Sequence, residues 1–178
     1  DLRWAAITRV GMPRELLQLM HRAGCQMVEL GVESGSERVL RNIQKDITVA
    51  SVEQTFRQAR QVGMKTKAFF MVGLPGEERE DFLQSVDLAR RINPDYLWLS
   101  IFLPLPGSAA FASQHGANAE FRHRTFIHSE DPLLQRRFRE FLRKFYLRPG
   151  YLPVILKNYK GYLDMATKLK ALTPLGDR

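Results

Sequence analysis

Along roughly the first two thirds of the chain one rhythm repeats: a short apolar run, a stretch with apolar residues at helical spacing, then another short apolar run. Trp4-Ala5-Ala6-Ile7-Thr8-Arg9-Val10 reads as a strand. Pro13 sits where a first helical turn tolerates it, Leu16, Leu17, Leu19 and Met20 continue as a helix, and Gly24 ends it. Gln26 to Gly31 reads as the second strand and Glu37 to Ile43 as a short helix. Thr48 or Ser51 caps a longer helix with Val52, Phe56, Ala59 and Val62 on one face, stopped by Gly63. Lys67 to Val72 is the third strand; its run Ala68-Phe69-Phe70-Met71-Val72 lacks alternation, which suits a strand buried on both faces. Glu77 to Ile92 is a helix led by Glu77, Glu78, Glu80 and Asp81 and closed by Arg90 and Arg91, in keeping with its dipole. Tyr96 to Leu103 is the fourth strand, ended by Pro104-Leu105-Pro106-Gly107.

Such βα units in series predict an α/β fold with a parallel sheet or a (β/α) barrel. Four strands are too few to close a barrel, so the sheet would expose an edge and a bare inner face unless partner strands exist elsewhere. Residues 108–130 show no clear period and read as a weak helix followed by loop. Leu133 to Leu147 predicts an amphipathic basic helix, broken by Arg148-Pro149-Gly150, and a last helix runs from Leu152 to about Leu172.

Composition narrows the class. The 178 residues are 44% hydrophobic, which fits a globular chain, and no apolar stretch reaches the roughly 20 residues of a membrane span. The chain opens on Asp1, without Met and inside a predicted strand, and carries no signal peptide; it reads as a fragment or a processed product. Its one cysteine, Cys25, rules out internal disulfides and an all-cysteine metal site, and fits a reducing cytoplasm. Cys25 opens a strand, where a small buried apolar role suits it. His21, His115, His123 and His128 lack metal-ligand spacing. The net charge of +8 gathers late, from Arg136 and Arg137 onward, but Phe138, Phe141, Leu142 and Phe145 interrupt it at the spacing of a packed helix. That favours a solvated helix face over a nucleic-acid interface.

The unusual residues stand at predicted strand ends, where parallel α/β folds keep their chemistry. The second strand ends in Gly31-Val32-Glu33-Ser34-Gly35-Ser36, the third in Gly73-Leu74-Pro75-Gly76-Glu77, the fourth in Pro104-Leu105-Pro106-Gly107-Ser108. Glu33 offers a carboxylate to hydroxyls or to an ammonium group, and the small residues after it let a ligand approach the backbone. Gly73 and Gly76 precede a helix N-terminus, which favours anions. Each loop also has a plain structural reading, as cap, turn or strand terminator. Together they suggest one shared ligand site.

In this order and spacing, GVESGSERVLRNIQKDIT, FFMVGLPGEEREDF and PLPGS closely resemble the second half of the radical S-adenosylmethionine (radical SAM) core domain. The tail LRKFYLRPGYLPVILKN is similar, more loosely, to the helical extension of members with an N-terminal cobalamin-binding domain. The resemblance implies strands three to six of a six-stranded partial (β/α) TIM-type barrel over residues 1–112, a linker over 113–130 and a basic helical extension over 131–178. In that family a loop after the first strand carries CxxxCxxC, which binds a 4Fe–4S cluster; the cluster chelates S-adenosylmethionine, and reductive cleavage yields a 5′-deoxyadenosyl radical. This chain lacks those cysteines, so the cluster ligands would lie outside it. By resemblance, Glu33, Ser34 and Gly35 would approach the ribose or methionine part of S-adenosylmethionine, Gly73 and Pro75 the adenosyl side, and Leu103 and Pro104 the adenine. Lys45, Arg60 and Lys67 are candidates to meet its carboxylate. No residue is assigned as catalytic and none as a metal ligand.

The resemblance implies an enzyme fragment, of a cobalamin-dependent radical methyltransferase or a cyclase, inactive by itself and completed by a missing N-terminal half or a second chain. Cobalamin use and the substrate stay open. The alternative is a degenerate module that contacts RNA or a partner protein through its basic tail. Tail aromatics at core spacing, rather than on a stacking platform, argue against RNA.

Overall fold

Residues 2–106, 108, 127 and 129–158 are described by the structure, a computed structural model. The elements are β1 (Trp4–Thr8), α1 (Arg14–Arg22), β2 (Cys25–Glu33), α2 (Glu37–Asn42), α3 (Val49–Val62), β3 (Lys65–Val72), α4 (Arg79–Ile92), β4 (Tyr96–Ile101), α5 (Pro132–Tyr146), a 3-10 turn at Pro149–Tyr151, and α6 (Leu152–Lys157). Local chemistry fixes their ends. Thr48 and Ser51 form a reciprocal capping box at the start of α3, and Gly63 ends it at φ +90°. Glu78 and Asp81 form the corresponding box on α4, which stops at Asn93 in the left-handed region, before Pro94. Asp131 caps α5 by accepting a 2.8 Å bond from the Leu133 amide, with Pro132 in the first turn.

The strands form one parallel sheet in the order β1-β2-β3-β4. One face carries Val28, Leu30, Val32, Ala68, Phe70, Val72, Leu97, Leu99 and Ile101, all buried. The helices cover this face, and Leu17, Val52, Phe56, Phe82 and Leu88 join its core. The other face carries Glu29, Lys67, Phe69, Met71 and Trp98, and no described residue covers it. Ile7 on β1 is 79% exposed and Trp98 on β4 is 40% exposed. The run Ala68–Val72 is therefore buried on one face rather than both: Phe70 points into the core, while Phe69 and Met71 stand half-buried on the open side. Among the described residues helices lie on one side of the sheet only, as expected of an open barrel segment with a bare inner face.

The basic tail is part of the same core. Phe141 of α5 meets Phe70 of β3 at 5.4 Å and Phe82 of α4 at 6.0 Å between ring centroids. Phe138 and Phe145 are buried beside it. The Tyr146 hydroxyl donates to the Leu97 carbonyl at 3.1 Å, and the Tyr151 hydroxyl to the Asp95 carbonyl at 3.0 Å. The helix expected from Leu152 starts there and is described to Lys157. Its expected continuation, most of 108–130, Gly107, and His115, His123 and His128 lie outside the described residues. Cys25 is fully buried at the N-terminal end of β2, away from the strand ends that carry the loops.

Candidate active site at the strand ends

β2 ends in a distorted turn. Its register with β3 slips between Gly31 and Glu33, and Glu33 adopts φ +66°, a region that a non-glycine residue rarely occupies. The turn swings the Glu33 side chain to the open face, where its Oε1 accepts a 2.9 Å bond from Lys45 Nζ. Gly31 makes room for the pair: a β-carbon there would stand 2.7 Å from Glu33 Oε1 and 3.1 Å from Lys45 Nζ. Glu33 Oε2 is buried and has no partner among the described residues. The Glu33 side chain helps line a cleft of about 600 Å³, together with Arg9, Lys45, Phe69, Met71 and Trp98 among others. One wall is thus a carboxylate with an accepting atom to spare, and the floor is apolar and aromatic.

The remaining residues expected at the site divide by side of the sheet. Ser34 and Gly35 turn away from the cleft toward α4. The Ser34 and Ser85 hydroxyls are 3.1 Å apart, and the Gly35 amide donates to Ser85 Oγ at 2.8 Å. A β-carbon at Gly35 would fall 2.4 Å from the Gln84 carbonyl oxygen, so these small residues serve close packing in the structure. Lys67 lies on the open face, below the cleft, bonded to Glu29 at 3.0 Å and set 5.0 Å from the Phe69 ring and 5.6 Å from the Trp98 ring. Of the candidate cations, Lys45 alone lines the cleft; Arg60 reaches back to the Ile92 carbonyl at 2.6 Å on the helical side. Gly73, Pro75, Leu103 and Pro104 do not line it, although the Phe102 amide ties the end of β4 to Val72 O at 2.8 Å.

Behind the cleft the loops are held by two buried carboxylates that read in the sequence as helix-dipole residues. Asp81 accepts from Ser36 Oγ at 2.5 Å, from the Glu78 amide at 2.9 Å and from Arg38, which also donates to the Gly76 carbonyl at 2.8 Å. Burial would raise the pKa of Asp81, but the Arg38 and Ser36 bonds outweigh it and hold the carboxyl below its ordinary range. Glu77 accepts from the Gly73 amide at 2.8 Å, and Arg137 of α5 approaches the same oxygen at 3.7 Å. Burial pushes the Glu77 carboxyl up, against the Gly73 bond and the Arg137 charge. The sequence carries no signal for Phe69 and Met71, because the run Ala68–Val72 is apolar at every position; the alternation of burial in the structure places them on the open side.

The donor set fits a ligand with an ammonium or hydroxyl group beside an apolar, planar body, which is the chemistry of S-adenosylmethionine. It does not fit an iron–sulfur cluster: Cys25 is the one cysteine of the chain and is buried at the opposite end of β2. Among the described residues no group of three or more His, Cys, Asp or Glu could hold a metal, and no helix is long and apolar enough to cross a membrane.

The family model of the radical SAM superfamily matches residues 1–89. An uncharacterized methyltransferase of Pyrococcus horikoshii is 29% identical over 178 aligned residues, covering 92% of this chain and 38% of its own length. Coproporphyrinogen III oxidase of Escherichia coli, a radical SAM enzyme, superposes with a TM-score of 0.64 at 18% identity, over 83% of this chain and 32% of that one. A radical S-adenosylmethionine methyltransferase of Kitasatospora setae, solved with cobalamin and a 4Fe–4S cluster, superposes with a TM-score of 0.54 at 23% identity, over 58% of this chain and 20% of that one. The chain thus spans well under half the length of these proteins, and the superpositions make its sheet part of their TIM-type barrel. On the family match over half its length, the chain belongs to the radical SAM superfamily.

Proposed function

We propose that the chain is the second half of the core of a radical methyltransferase, and that its cleft receives S-adenosylmethionine, with the cluster ligands on a segment outside the chain. The observation that carries the reading is the buried Oε2 of Glu33, without a partner among the described residues and held by a left-handed turn beside an apolar floor at the strand ends. In this reading that oxygen accepts a hydrogen bond from the ligand's ammonium or ribose hydroxyl, and Lys45 fixes the carboxylate in place. Phe69, Met71 and Trp98 exclude water from the apolar part of the ligand. Bound S-adenosylmethionine supplies the family's radical chemistry. Ser34 and Gly35 serve by seating the β2 turn on α4.

Transfer of a methyl group, rather than cyclisation, is supported by the Pyrococcus relative, which aligns with 92% of the chain. Cobalamin use rests on the resemblance of residues 142–158 and would need a domain outside the chain. We place the protein in the cytoplasm, in keeping with its single reduced cysteine.

The test is to extend the coding sequence in frame upstream of Asp1 and to purify the longest product without oxygen, with iron and sulfide. The reading expects a CxxxCxxC segment and thiolate-to-iron absorption. A longest product without that segment, and without bound iron, overturns it.

A further inference from the structure

We propose that Arg137, on the tail helix α5, is a positioning residue for the cleft: through buried Glu77 it holds the Gly73 amide and so sets the turn at the end of β3. The inference rests on the proposed binding of S-adenosylmethionine and adds a residue that lies beyond the family match at 1–89.

Three observations carry it. The Glu77 side chain is 1% exposed and that of Arg137 13%, so both partners of this pair sit inside the protein, whereas Arg38, Arg79, Arg91 and Lys144 in the other pairs of α4 and α5 are exposed. Glu77 Oε2 accepts from the Gly73 amide at 2.8 Å and pairs with Arg137 Nη1 at 3.7 Å, which places the guanidinium one carboxylate away from the turn. Gly73 itself is at φ +79°, and its missing β-carbon would stand 2.8 Å from Leu134 Cδ2, so α5 meets the turn directly one helical turn before Arg137. Gly73 follows Val72, the last residue of β3, and Met71 of the same strand lines the cleft. A shift of the turn is therefore felt by the cleft wall.

Removing the guanidinium leaves the Glu77 carboxylate buried beside one amide, with Asp81 as the charge facing it. A buried charge that loses its partner either takes up a proton or swings toward water. A swing toward water frees the Gly73 amide outright, and a protonated carboxyl is a weaker acceptor for it than the carboxylate. Arg137→Lys restores a charge without the planar fork and should recover part of the effect.

The experiment uses the full-length protein and compares Arg137→Met, Arg137→Lys and, as a surface control, Arg136→Met. Hydrogen exchange of the peptide covering residues 73–77 reads the turn, and titration with S-adenosylhomocysteine reads the cleft. At unchanged melting temperature, Arg137→Met should speed exchange at Gly73 about tenfold and weaken S-adenosylhomocysteine about tenfold. Arg137→Lys should fall between, and Arg136→Met should match the unsubstituted protein. Unchanged exchange in a folded Arg137→Met protein overturns the clamp. Faster exchange with unchanged affinity overturns the positioning role. If the unsubstituted protein itself fails to bind S-adenosylhomocysteine, the proposed function falls, and the exchange arm still decides whether Arg137 holds the turn. Should Arg137→Met unfold, the Lys variant decides both points by the same readings.

Discussion

Gly31, Glu33 and Lys45 form one unit, because the carboxylate can lie across the strand only where residue 31 has no side chain. A methyl group 2.7 Å from Glu33 Oε1 must push the carboxylate or the lysine aside. Gly31→Ala is therefore expected to leave the fold intact and weaken S-adenosylmethionine binding by about tenfold, measured by calorimetry on the full-length protein. Gly35 stands close by in sequence but answers to different neighbours. Its replacement by Ala drives a β-carbon against the backbone of α4 and should destabilise the protein by about 1–3 kcal/mol in a urea titration. The sequence made Glu33 legible as a carboxylate at a strand end. It did not separate Ser34 and Gly35 from it, because small residues after a strand suit a ligand and a packed helix equally well. Glu77 and Asp81 were legible as first-turn acids; their burial depends on Arg137 and Arg38, which come from elements distant in the chain.

Among the elements, α5 joins two readings of its sequence. Its charge suggested a solvated face, and its phenylalanine spacing a packed one; both are true of one helix. Phe141 touches rings from a strand and a helix, so Phe141→Ala should cost about 3–5 kcal/mol, read from the shift of a denaturant midpoint. The helix is also clamped to α4 electrostatically. Arg79 donates twice to Glu140, at 2.7 Å each, and Lys144 adds its charge at 3.3 Å. The Arg79 bonds hold Glu140 well below its ordinary 4.5, at about 2. A carboxylate with a lowered folded pKa stabilises the protein above its unfolded pKa and loses that contribution as pH falls through the folded one. Stability should thus decline between about pH 4.5 and 2, and Glu140→Gln should flatten that part of the profile. Helix ends at Thr48, Gly63 and Asn93 were legible because capping is local. The one-sided burial of β3 was not, because it depends on what covers the far face.

Across the whole sheet, the described helices cover one face, and among the described residues nothing covers the other face or pairs with the β1 edge. Ile7 is exposed there, and the ion pairs Glu29–Lys67 and Glu33–Lys45 stand on a surface that a closed barrel would enclose. This is the geometry expected of part of a larger barrel, and the chain spans 38% of its methyltransferase relative. The order of the strand-end loops made the barrel legible, since each loop is loose alone and the set is specific. The cleft was legible only as a region: its floor of Phe69, Met71 and Trp98 comes from the strand interiors, where sequence alone reads core.

The proposed function has Glu33 receive S-adenosylmethionine in this cleft. Its most direct test is the affinity of the full-length protein for S-adenosylmethionine, with Glu33 intact and as Glu33→Gln, both carrying equal iron. The variant should lose at least about tenfold at unchanged melting temperature, because the amide keeps the shape and removes the charge that meets the ammonium or hydroxyl. Equal affinity in the two proteins would contradict it and would move the ligand away from the end of β2.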